Sequence, residues 1–147
     1  MVNNFSDESK NALRIAESYA KDSMSEMIMP AHLLKAVLHK ESGLVSFLEG
    51  IEKDYYYLLD WADVRIKLLS KSSTPIFDVS FSDDFQAVVK EAENYLESTD
   101  VAQLEPIFLL AALVTPGVGF TFEQLKTLPL SDISQERFRE LITSHIG

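Results

Sequence analysis

The sequence holds no cysteine, one tryptophan, three histidines, five glycines and five prolines in 147 residues. Without cysteine there is no disulfide, no thiolate nucleophile and no cysteine-ligated zinc, which fits a reducing compartment. Basic residues are scarce as well. Thirteen Lys and Arg stand against 23 Asp and Glu, for a formal net charge of −10 and an isoelectric point near 4.6. A field of that sign repels phosphate backbones and anionic lipid headgroups, so nucleic acid and membrane surfaces are not expected partners. The longest apolar run, Ile107 to Val114, falls far short of the roughly 20 residues a membrane span needs. The opening MVNNFSDESK has neither the basic nor the apolar segment of a secretory signal, and a cytoplasmic location is the expectation. What remains is 46% hydrophobic and 24% charged, with a mean hydropathy of +0.01. That composition is too apolar for disorder and too polar for a membrane bundle, and the length suits one domain over residues 1–147.

The chain repeats itself. At an offset of 76 residues, Phe5-Ser6-Asp7 falls on Phe81-Ser82-Asp83, Ala16-Glu17 on Ala92-Glu93, and Tyr19 on Tyr95. Pro30, Leu33-Leu34 and Ala36 fall on Pro106, Leu109-Leu110 and Ala112, ten identities over 32 positions without a gap. Two copies of one supersecondary unit are expected, about 5–70 and 81–146, joined by a linker at about 71–80 that begins Lys71-Ser-Ser-Thr-Pro75. The later parts of the copies do not align without gaps by eye.

Each copy reads as helices. Ser6 and Ser82 are good N-caps, followed by acidic first turns at Asp7-Glu8 and Asp83-Asp84. Ala12, Ile15, Ala16 and Tyr19, and in the second copy Val88, Val89, Ala92, Tyr95 and Leu96, make apolar stripes at helical spacing. Pro30 and Pro106 suit the first position of the short apolar helices Ala31–His39 and Ile107–Val114, which belong at the centre of the domain. Asp54–Leu69, Phe122–Leu128 and Ser134–Ile146 read as further helices. No stretch combines strand alternation with hairpin chemistry. The expected fold class is all-α, about eight helices in two pseudo-symmetric four-helix halves.

Candidate chemistry is thin. The adjacent acidic pairs recur at equivalent helix starts, which marks a structural duty rather than acid–base catalysis. His32 and His39 lie about 10 Å apart along a helix, too far to share a metal, and no HExxH occurs. His32 reads as a core or capping histidine; a small acid–base hydrolase built on it is the rival reading. Gly117 and Gly119 lack the GxxxxGK pattern of a phosphate loop, so no means of binding ATP is visible in this chain. No metal or cofactor is expected. Tyr55-Tyr56-Tyr57 with Trp61 cannot all face one core, so at least one tyrosine should be exposed. Phe120 and Phe122 read as loop aromatics that suit a peptide-binding surface.

The tandem pattern strongly resembles the Clp N-terminal repeat. It is carried by FSDESKNALRIAESYA, then MPAHLLKAVLHKESG, then LEGIEKD, with AHLLKAVL similar to the family's (E/T)HLLLALL segment and EPIFLLAALV as its counterpart. The resemblance covers essentially the whole chain. It implies a non-enzymatic N-terminal module of a hexameric AAA+ unfoldase of the ClpB, ClpA, ClpC or ClpV kind, which binds polypeptide or adaptor proteins and hands them to the ATPase rings. It further implies site residues. Ser6 corresponds to a family threonine at the start of the first helix, Asp100 to an aspartate before the second apolar helix, and Pro106-Ile107 to a Glu-Leu pair. Two apolar groove positions fall on Lys90 and Asn94, which are polar. Those departures, with the Tyr-rich helix, lean toward the type VI secretion branch, where a helix of a sheath protein enters an apolar slot. The alternative is a ClpB- or ClpC-type domain for unfolded polypeptide.

Overall fold

The structure is a computed structural model, and it describes residues 4–74, 77–128, 130, 133 and 135–146. Among the described residues eight α-helices follow one another: α1 (Asp7–Asp22), α2 (Pro30–Val37), α3 (Leu44–Gly50), α4 (Tyr55–Lys67), α5 (Asp83–Glu97), α6 (Pro106–Leu113), α7 (Phe122–Leu125) and α8 (Gln135–Ile146). The all-α class read from the sequence is what the chain adopts, with one addition. Met27–Ile28 (β1) and Ser80–Phe81 (β2) form a two-residue parallel pair, too short to leave a period-2 signature in the sequence.

The helix starts are set by side chains. Ser6 Oγ accepts the Ser9 backbone N–H at 3.1 Å, and Ser82 Oγ accepts that of Phe85 at 3.0 Å. Pro30 and Pro106 occupy the first turns of α2 and α6, where a missing N–H costs no hydrogen bond. Every residue of α6 is buried, and in α2 only Lys35 is not. These two helices pack on each other at the centre. α1 and α4 lie against α2, and α5 and α8 against α6, an arrangement that follows from helices apolar on all sides.

The offset of 76 residues seen in the sequence is also the internal symmetry of the fold. It carries α2 onto α6 residue for residue. The segment entering the first helix of each half pairs in parallel with the segment entering the second helix of the other. Phe5 bridges Leu104, and Ile28, 76 before Leu104, pairs with Phe81, 76 after Phe5. Ser6 N–H donates to Leu104 O and Ser82 N–H to Ile28 O, both at 3.1 Å. The offset persists where the sequence alone does not show it. Ala62 and Ile66 of α4 fall on Phe138 and Ile142 of α8, and all four are buried.

Two further expectations are corrected. α7 ends at Leu125 rather than Leu128, the chain leaving through a turn in which Leu128 N–H donates to Leu125 O at 3.0 Å. Phe120 is not a surface aromatic. It is buried, edge-on to Trp61 at 5.1 Å, because Gly119 lets the loop close against the first half. A Cβ at Gly119 would sit 2.7 Å from Val88 Cγ2 and 3.2 Å from Pro30 Cβ.

A candidate polypeptide-binding site

Two hollows flank the junction of the halves at the heads of the proline-led helices. One, of about 300 Å³, is lined by Glu8, Gly43, Leu44, Glu105, Pro106 and Ile107. The other, of about 230 Å³, includes Asp84, Gly119, Phe120, Met29, Pro30 and Ala31. Position by position these sets are 76 residues apart, so the hollows are a symmetry-related pair. Their chemistry has diverged. The first carries two carboxylates, Glu8 and Glu105. The second adds Leu68 and Leu69 from the end of α4, with Arg65 alongside, and continues into a neighbouring hollow of about 330 Å³ that shares Met29 and Leu69 and extends to Met27. Together they form one groove whose apolar residues, Met27, Met29, Leu68, Leu69 and Phe120, are set among polar ones such as Glu26, Lys71 and Asp84.

Leu68 and Met27 are 73% and 47% exposed. Methionine suits such a wall, since its unbranched side chain adapts to differently shaped guests. The floor is stiff by contrast. Trp61 packs on Phe120, donates its indole N–H to Thr127 Oγ1 at 2.9 Å, and carries the Arg65 guanidinium 4.5 Å above its ring.

The residues expected from sequence are partly brought together. Pro106 and Ile107 share the more acidic hollow, but both are buried, Ile107 at 0% exposure. Ile107 is therefore packed as core. Ser6 is buried at 2%, two residues from Glu8 in the same hollow, and serves as the α1 cap. Lys90 and Asn94 lie on the exposed face of α5 and Asp100 beyond its end, all exposed. Asn94 donates to Glu91 at 3.1 Å. None of these three lines either hollow. The groove residues Met27, Met29, Leu68 and Leu69 were missed. Their signal is two apolar pairs at element ends, beside the Pro30 turn and before the polar stretch from Ser70.

His32 is fully buried. Its Nδ1 accepts the Met29 N–H at 2.9 Å, so its Nε2 carries the proton and faces Ser23 Oγ at 3.1 Å. Burial first, and the Lys35 charge second, hold its pKa down to about 4. Both ring nitrogens are spent on joining the end of α1 to the start of α2, which removes the base on which a hydrolase would depend. Of the tyrosine run, Tyr56 and Tyr57 are exposed and Tyr55 is half-buried. Among the described residues, no cluster of three or more His, Cys, Asp or Glu is placed to hold a metal. Among them too, no helix is long and apolar enough to cross a membrane.

Comparison with known proteins gives a consistent result. No curated protein matches the sequence. Among solved structures, the Hsp104 N-terminal domain from Candida albicans aligns with a TM-score of 0.78 at 13% identity, over 99% of this chain and 93% of that one. The ClpV N-domain from Vibrio cholerae aligns with a TM-score of 0.78 at 17% identity, over 96% and 84%. A ClpV N-domain in complex with a VipB peptide gives 0.71 at 19%, over 95% and 85%. At these identities the likeness is one of fold. The family model for the Clp repeat (R) N-terminal domain matches residues 4–128, and the chain belongs to that family.

Proposed function

We propose that the chain is a binding module that captures polypeptide or adaptor segments for a Clp-type AAA+ ATPase ring, and that its guest is a helix, as for a sheath protein in type VI secretion. The observation that carries this reading is the apolar groove of Met27, Met29, Leu68, Leu69 and Phe120. An amphipathic helix laid in such a slot inserts anchors at i, i+3 or i+4, and i+7, while Arg65 and Asp84 at the wall meet its polar edge. The complex of a ClpV N-domain with a VipB peptide supports a peptide guest. Weak single-site affinity suffices where a ring presents several copies of the module.

The test is fluorescence anisotropy with a labelled VipB peptide. Leu68→Glu and Met29→Glu change groove residues, Leu68 being largely exposed, and are expected to weaken binding at least tenfold, about 1.4 kcal/mol or more. The Leu68 variant should keep its circular dichroism and melting temperature. Unchanged affinity in a folded Leu68→Glu variant would place the guest elsewhere. Ile107→Asp is not a usable probe, since a carboxylate at a fully buried position reports on folding.

A further inference from the structure

Tyr19 and Tyr95 hold equivalent places in the two halves, and their surroundings have changed sign. In the first half Lys35 Nζ lies 4.5 Å from the Tyr19 ring centroid and pairs with Asp63 at 2.9 Å. At the same offset, Lys35 becomes Ala111 and Asp63 becomes Arg139. The Arg139 guanidinium lies 5.1 Å over the Tyr95 ring, and among the described residues it makes no ion pair. The cation of the first half has been deleted and its anion has been replaced by a cation.

Ala111 and Tyr95 are walls of a cavity of about 360 Å³ between α5, α6, α7 and α8, completed by Val114, Phe122, Leu125 and Phe138. Lys126 stands at its edge, paired with the exposed Glu123. The cavity hydroxyls are already committed. Thr115 Oγ1 donates to Ala111 O at 2.8 Å, so the Tyr95 hydroxyl donates to Thr115 Oγ1 at 3.1 Å. With both protons used, the interior offers hydrocarbon; Lys126 lines its edge, and Arg139, which is not itself a lining residue, lies over the ring of the wall residue Tyr95.

We propose that this cavity binds the C-terminal residue of a polypeptide, its aliphatic or aromatic side chain inside and its terminal carboxylate between Lys126 and Arg139. A chain terminus carries an apolar side chain and a carboxylate on one carbon; a glutamate or aspartate side chain does not. The choice of a polypeptide rests on the binding role proposed above, but the site is separate from the groove.

The experiment titrates the protein into an N-terminally labelled hexapeptide ending in leucine, against the same peptide with an amidated C-terminus. The free acid should bind at least tenfold more tightly than the amide, and Arg139→Gln should erase that difference without lowering the melting temperature. The double variant Ala111→Lys, Arg139→Asp restores the lysine–aspartate pair of the first half and should fill the cavity and abolish binding. Equal binding of acid and amide overturns the proposal, as does a folded double variant that still binds. Binding of octanoate with no binding of the peptide also overturns it, in favour of a free amphiphile. Should the double variant not fold, Arg139→Gln and the amide decide alone. Leu68→Glu is expected to leave this binding intact, so failure here is distinct from failure of the groove.

Discussion

At the scale of single residues, His32 shows how one side chain can be legible in type and not in consequence. Its place on a nearly all-apolar helix marks it as a core or capping histidine. That it bridges Met29 N–H and Ser23 Oγ depends on where α1 ends, which the sequence does not display. Its pKa, held down to about 4, lies below the unfolded value near 6.5. The contribution to stability is therefore complete above pH 6.5 and is lost as pH falls toward 4, at most about 3 kcal/mol over that interval. The second half carries Phe108 at the same position. Replacing His32 with Phe should flatten the fall in stability between pH 6.5 and 4 in urea melts, while costing about 1–3 kcal/mol at neutral pH for the Met29 N–H left without its acceptor. An unchanged pH slope in that variant would assign the dependence to other groups. The same scale explains the misplaced Phe120. A phenylalanine after Gly-Val-Gly reads as a loop tip until the close approach of Gly119 to Pro30 is known.

At the scale of elements, the capped helices were the most legible, because an N-cap is a local hydrogen bond with a local sequence signature. Ser6 and Ser82 both perform as their position implies. Ser82→Ala should cost about 1 kcal/mol, from the lost bond to Phe85 N–H, and Ser82→Asp should recover most of it; equal melting temperatures for Ala and Ser would show that the cap contributes nothing. What sequence did not reveal was the correspondence of α4 with α8. Their exposed faces share no residue types; a single identity, Ile66 with Ile142, and the burial of Ala62, Ile66, Phe138 and Ile142 are what match them. The two-residue strands were illegible for a different reason, since their pairing lies across the halves and follows no local period. The groove fell between these cases. Its residues sit at the ends of elements, where hydrophobic periodicity has already lapsed, and it exists only because the end of α4 comes beside the start of α2.

At the scale of the whole molecule, the halves share one core through α2 and α6 and exchange their entry segments. Neither half buries its central helix without the other, so pieces cut after Thr74 should be unfolded apart and should regain helical circular dichroism when mixed. Folded separate pieces would show that the shared core is dispensable. The covalent connection between the halves adds proximity; the contacts themselves are reciprocal. A lone ancestral unit of this shape would have met its needs only across a two-fold axis with a twin, and joining the twins in one gene freed each to change independently. The divergence of Lys35 and Asp63 into Ala111 and Arg139 is what such freedom allows, since a symmetric pair of identical subunits must accept every substitution twice.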